Sequence, residues 1–252
     1  MHGAHELAAG DFNNDQVADL VVLSAQGNLV YLGSSAGPTL QTEVGTGYAG
    51  AATVADFDLD GHDDLVIGND FISVTDQTAR GGYVTVFYGG AEGIDTTRSR
   101  VFHQDTEGVP GSDESDDSLG GALTAGDVTG DGYPDLAIGA VFESIGSATH
   151  TGNVWVLRGG ASGLTTSGAQ SVNQGTPGVP GGNESCRAPE GPGRAHRMKT
   201  PPICDISAGR GRDHETYFFL PWFLTASIAA AAASGSRYVP PGLSGLKSAS
   251  SS

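Results

Sequence analysis

Residues 5 to 185 carry one hydrophobic pattern three times over. Each unit opens on a run of small and apolar residues, such as GGALTAGD at 120–127, and enters an acidic loop: GDFNNDQVADLVVL at 10–23, ADFDLDGHDDLVIG at 55–68 and GDVTGDGYPDLAIGA at 126–140. Apolar residues follow each loop at once, and then a Gly-led alternating run: GNLVYLG from Gly27, GYVTVFYGG from Gly82, GNVWVLRGG from Gly152. A turn (SSAGP, AEGI or ASGL) leads to a last short alternating run at 41–44, 100–104 and 170–174. Alternation with a period of two, punctuated by glycine, predicts short β-strands, about four to each unit.

Four sequentially connected antiparallel strands per repeat predict an all-β chain of β-propeller blades, because a lone blade leaves both faces uncovered and must stack on neighbours. Blades are expected around 5–48, 49–115 and 116–185. About three blades fall short of the roughly four to eight that close a ring, so a partial propeller is expected, with blade edges open to pairing. The acidic loops start 45 and 71 residues apart, so the connecting segments differ in length. An elongated β-solenoid ranks second, since its repeats are shorter and carry fewer strands.

Composition agrees with short strands: 40 glycines and 7% aromatic residues in 252 favour turns over long helices. Charge adds a boundary. Residues 1–184 hold 25 acidic and four basic groups, a balance of −21, and residues 185–252 hold four acidic and eight basic groups, a balance of +4. The net charge of −17 excludes a nucleic-acid surface, which needs basic patches, and points to cations as partners.

The loops say which cations. With the first ligand at position 1, they read Asp11-x-Asn13-x-Asp15-Gln16-Val17-x-Asp19, Asp56-x-Asp58-x-Asp60-Gly61-His62-x-Asp64 and Asp127-x-Thr129-x-Asp131-Gly132-Tyr133-x-Asp135. Oxygen side chains stand at positions 1, 3, 5 and 9, and position 7 (Val17, His62, Tyr133) would add a main-chain carbonyl. Hard oxygen donors on a tight loop suit Ca²⁺, which takes about six to eight oxygens. Two carboxylates about 4 Å apart repel by roughly 4 kcal/mol at an effective dielectric near 20, and a divalent ion reverses that sign. Glycine at position 6 allows the sharp turn; Gln16 and Asn13 make the first loop the weakest expected site. Solvated acidic turns would explain any one loop, but three in register with the same flanks argue for metal. An EF-hand is excluded, because it needs a Glu at position 12, where Val22, Ile67 and Ile138 stand, and helical flanks.

LGGALTAGDVTGDGYPDLAIGA at 119–140, followed by GNVWVLRGGASGL at 152–164, resembles the FG-GAP repeats of integrin alpha-chain propellers and of bacterial secreted proteins, with Leu119 where that family usually has Phe. QDTEGVPGSDES and NQGTPGVPGGNES are similar to the inter-blade segment of actinobacterial-type members. The resemblance covers about residues 5–185. It implies calcium bound by the loops on one side of a propeller of roughly seven blades, an extracellular or secreted location, and adhesion to, or binding of, a protein or glycan ligand. It maps no ligand-recognition loops onto this chain.

Other signals are weaker. GTGYAG at 45–50 matches a dinucleotide fingerprint, but the next residues, AATVAD, align with a strand and not a helix, so the nucleotide reading is rejected. No G-x-S-x-G or H-E-x-x-H occurs, and the acidic groups recur by repeat where a glycosidase would converge them on one pocket, so a non-enzyme is expected. The alternative is an accessory or scaffold propeller of a secreted hydrolase. The histidines are scattered and read as incidental, and Asn183-Glu184-Ser185 is a glycosylation sequon of little weight alone.

The GVPG phrases at 108 and 178 place a fourth acidic loop near residue 197, where RAHRMKTPP stands instead. Residues 186–252 are therefore expected to be an unrelated or frame-shifted tail, poorly structured, and an in-family blade in another frame of the coding DNA would decide between the two. Its uncharged segment 217–234 approaches membrane-spanning length but is interrupted by Pro221 and diluted by alanines, so membrane association is not expected. Cys186 and Cys204 lie in the same tail. The beginning of the chain enters a blade midway, with no signal peptide ahead of it, and is expected to be cut.

Overall fold

The computed structural model describes residues 4–45, 47–70, 80–183 and 185. The readings made for the tail, its cysteines and segment 217–234 fall outside these residues. The described residues form twelve strands and no helix. Strands β1 (Ala4–Gly10), β2 (Asp19–Ser24), β3 (Gly27–Leu32) and β4 (Thr39–Glu43) make one sheet; β5 (Ala51–Ala55), β6 (Asp64–Asn69), β7 (Tyr83–Tyr88) and β8 (Asp95–Phe102) a second; β9 (Leu119–Gly126), β10 (Asp135–Ala140), β11 (Asn153–Arg158) and β12 (Thr165–Val172) a third. Each sheet is an antiparallel meander in chain order, four strands to a blade, as the alternation predicts. AATVAD is strand β5 and its end, consistent with rejecting the nucleotide fingerprint.

The outer strands begin earlier than the alternating runs suggest. β8 starts at Asp95 and β12 at Thr165, where the sequence pattern becomes regular only at 100 and 170. A register shift explains the difference, and it recurs in every blade: between Val30 and Tyr31, Phe87 and Tyr88, and Val156 and Arg158. A bulge inserts residues into one strand only and breaks its inside–outside period.

The cores lie between blades. In β6, Leu65 and Ile67 join Phe12, Val21, Leu23, Val30 and Phe87 in the cluster against the first blade, while Val66 joins Val84, Val86, Leu136, Ile138 and Trp155 in the cluster against the third. Successive residues of a strand face opposite sides, so one six-residue strand serves two cores and is buried throughout. β2 keeps a buried–half-buried alternation, because its blade has one neighbour among the described residues. The first strand of the second blade, β5, lies against both β1 and β9, and each acidic loop joins the first strand of its blade to the second.

Candidate metal centres on the acidic hairpins

Each acidic loop is a β-hairpin corner whose own side chains organise its backbone. The position 1 carboxylate accepts from the main-chain N–H groups of positions 5 and 6: Asp11 from Asp15 and Gln16 (3.0 and 2.8 Å), Asp56 from Asp60 and Gly61 (3.1 and 2.9 Å), Asp127 from Asp131 and Gly132 (3.2 and 3.0 Å). The position 5 carboxylate accepts from the N–H of position 7, Val17, His62 or Tyr133, at 2.8 to 3.0 Å. At position 3, Asn13 and Asp58 accept from the N–H of Asp15 and Asp60, whereas in the third loop the Asp131 N–H goes to Asp127. Three oxygen-bearing side chains thus curl inward in the first two loops, and two, Asp127 and Asp131, in the third.

Positions 4 and 6 both adopt left-handed backbone. The pairs are Asn14 and Gln16 (φ 57° and 68°), Leu59 and Gly61 (56° and 91°), and Gly130 and Gly132 (74° and 94°). Glycine at position 6 is legible from sequence; the equal demand at position 4 is not, because Asn, Leu and Gly share no side-chain property there.

Position 9 has a second task. Asp19, Asp64 and Asp135 are each 1% exposed and direct one oxygen to the N–H of position 2 (Phe12, Phe57, Val128) at 2.9 to 3.0 Å. The other oxygen accepts from Gly33, Gly89 or Gly159, just past the third strand, at 2.8 to 3.0 Å. The carboxylate therefore ties loop to blade from behind. Burial pushes Asp64 up to about 7, against two N–H bonds that pull it down; Asp19 is raised in the same way. The glycines are needed for contact: a β-carbon on Gly89 would lie 2.3 Å from the Asp63 carbonyl, and one on Gly159 2.1 Å from that of Pro134.

Phe12 and Phe57, at position 2, are wholly buried in the two inter-blade cores. They plug each loop into the junction it stands over, a role their sequence position signals only as a lone aromatic among acids. The loops also meet across blades. Asp11 donates its N–H to the Asp63 carboxylate at 2.8 Å and accepts the Asp63 N–H at 3.0 Å, and the carbonyls of Phe12 and Phe57 accept from Gly90 and Gly160 at 3.1 Å. In the third loop Pro134 occupies the place of Asp63 and has no N–H to give.

The second loop has the strongest cation-holding chemistry. Asp56, Asp58 and Asp60 offer oxygens all within 4.8 Å of one another. Burial, then Asp60, raises the Asp58 carboxyl. Arg98 reaches Asp58 Oδ2 at 3.7 Å, and His62 Nδ1 lies 3.1 Å from Asp60 Oδ1. The histidine is therefore in contact with a ligand candidate and not incidental, a relation its sequence position did not reveal. In the first loop Asp15 accepts from the Asn13 amide at 3.1 Å, and in the third Asp127 holds the Asp131 N–H at 3.2 Å.

The model of the FG-GAP-like repeat family matches residues 11–67, and that of the FG-GAP repeat family matches residues 119–157, so all three acidic hairpins fall within matched segments. The chain carries FG-GAP repeats in both segments. Its repeats are 35% and 33% identical to phosphatidylinositol-glycan-specific phospholipase D of Rattus norvegicus and Mus musculus, over 45% and 46% of this chain and 13% of each relative. They are 28% identical to integrin alpha pat-2 of Caenorhabditis briggsae over 66% of this chain and 14% of the relative. The matched region is thus a small part of the length of these curated relatives. An Agrocybe aegerita lectin structure, described as recognising non-reducing terminal N-acetylglucosamine, superposes over 72% of this chain and 42% of its own at a TM-score of 0.41 and 16% identity, too loose to bear on ligand. No helix among the described residues is long and apolar enough to cross a membrane.

Proposed function

We propose that these FG-GAP repeats are a calcium-stabilised propeller portion that binds an extracellular protein or glycan ligand. The carrying observation is the trio Asp56, Asp58 and Asp60, drawn together at a corner that Phe57 anchors in an inter-blade core. The ligands in the three hairpins would be Asp11, Asn13, Asp15 and Asp19 with the Val17 carbonyl; Asp56, Asp58, Asp60 and Asp64 with the His62 carbonyl; and Asp127, Thr129, Asp131 and Asp135 with the Tyr133 carbonyl. The bound ion would supply positive charge where the chain supplies only oxygen, so the chain's own part is to hold those oxygens together and transmit order into the blades. The extracellular setting rests on the resemblance to integrin alpha chains and on the supply of calcium outside cells.

The test is calorimetric titration of the chain with CaCl₂, followed by screening of immobilised matrix proteins and glycans in calcium and in chelator. Calcium heat with calcium-dependent capture supports the proposal; absence of heat at millimolar calcium overturns the metal reading. A second reading, a scaffold propeller of a secreted hydrolase, is favoured by one finding, the likeness to two phospholipases D. A catalytic region encoded beside the repeats would support that reading.

A further inference from the structure

Away from the hairpins, a second group of carboxylates lies at the join of the second and third blades. Glu114 and Asp117 belong to the segment between β8 and β9, and Glu143 to the loop after β10; each offers an oxygen within 4.8 Å of the other two. Glu114 is at the surface, but Asp117 and Glu143 are buried. No ion pair reaches them among the described residues. Two carboxylates facing each other out of water are costly, and burial followed by Asp117 pushes Glu143 up to about 7.

An independent observation concerns Gln104, just past β8 and 1% exposed. Its Nε2 donates to Glu143 Oε2 at 2.7 Å, while its Oε1 is buried without a partner. Oε1 borders the space beside Gly81. A β-carbon there would stand 2.8 Å from Gln104 Oε1, 2.8 Å from Asp113 Oδ1 and 2.5 Å from the Glu114 carbonyl oxygen. These oxygens leave no room for another atom beside Gly81, and Asp113 Oδ1 already accepts the Gly81 N–H at 2.8 Å, so the buried Oε1 meets oxygens and no donor there. Half a turn of the Gln104 amide would exchange its nitrogen and oxygen, aiming Oε1 at the carboxylates and the N–H groups at the oxygens beside Gly81. All these groups would then be satisfied together if a cation supplied the charge.

We propose that Glu114, Asp117, Glu143 and the Gln104 side-chain carbonyl form a divalent-cation site distinct from the hairpins, for a hard, oxygen-preferring ion of the calcium type. Its donors come from the segment leaving the second blade and from a loop of the third, so the ion clips two blades together at their connection. The site stands whether or not the hairpins bind metal.

The test is calcium titration and thermal melting of the full chain as wild type, Glu143→Gln, Glu114→Gln and Asp58→Asn with Asp60→Asn. Glu143→Gln is expected to lose one calcium equivalent and to melt at or above the wild-type temperature in chelator, since it removes a buried charge. Glu114→Gln, which changes an exposed group and leaves folding intact, is expected to weaken the same equivalent at least about tenfold. The hairpin double variant is expected to lose a different equivalent and keep this one. The proposal is overturned if both glutamine variants retain the wild-type number and affinity of calcium equivalents, or if they lower the melting temperature equally in calcium and in chelator, which would mark a metal-free polar network. A hairpin double variant that keeps every wild-type equivalent, while the two glutamine variants lose theirs, would sink the hairpin reading and leave this proposal standing.

Discussion

Gln16 holds a φ of 68° at the position where the other two hairpins have glycine. A residue with a β-carbon in the left-handed region costs about 1–2 kcal/mol, and glycine returns part of that as unfolded-state entropy. Gln16→Gly is therefore expected to raise stability by about 0.5–1 kcal/mol in a chemical denaturation series, with no change in the Asp19 bonds. Glu143 makes a second single-residue prediction. Its folded pKa, about 7, lies above its ordinary 4.5 beside Asp117, Glu114 and Gln104. The protonated form is the one the fold prefers, so metal-free stability is full below about pH 4.5 and falls as pH rises toward 7. Denaturation in chelator at several pH values should show that decline, and Glu143→Gln should make it shallower, leaving the share that Asp64, raised to about 7 by burial, contributes. Residues of this kind mark the limit of sequence reading. The ligand candidates and Gly61 were legible because their types repeat in register. The buried ends of Asp19, Asp64 and Asp135 were not, because their glycine partners lie 14 to 25 residues downstream.

At the scale of the strand, legibility followed burial. Central strands such as β6, flanked by blades on both faces, read as continuous apolar runs, the first strands as small-residue runs and the third as alternation. The outer strands were only half visible, since the shared bulge shifts the pattern and Asp95 and Thr165 look like turn residues. The third strand also ends in a requirement that only contact explains. Gly89 gives its N–H to Asp64 and leaves no room for a side chain under the Asp63 carbonyl. Gly89→Ala is expected to lower stability by about 1–3 kcal/mol, because the obstacle is main chain and cannot swing away. Gly37, with nothing within 4 Å of its β-carbon direction, is a control for loss of glycine at a positive φ (107°) with open space around it. A melt of the two variants separates crowding from conformational strain.

For the whole molecule, the hairpins and the blade junctions form one mechanical system, because Phe12 and Phe57 reach from loops into the cores. Ordering a loop with calcium should then stabilise blades and not merely the loop. Calcium is expected to raise the melting temperature of the chain. Asp60→Ala should remove more of that gain than Asp15→Ala, since Asp60 sits in the three-carboxylate loop and Asp15 faces Asn13 across the weaker one. Scanning calorimetry in calcium and in chelator checks the order; equal losses would refute the ranking of the two sites.

The reciprocal bonds between Asp11 and Asp63 make the first two corners neighbours in a chemical sense, each fixing the other's main chain. An ion settling into one should raise the affinity of the next, giving a Hill coefficient above one for that pair. Pro134 cuts the same link ahead of the third corner, which should fill as an isolated event. Asp63→Ala keeps the main-chain bond and removes the side-chain one, so it should lower the Hill coefficient of the pair, and a mutation of a residue outside the proposed ligand positions would change the shape of the binding isotherm.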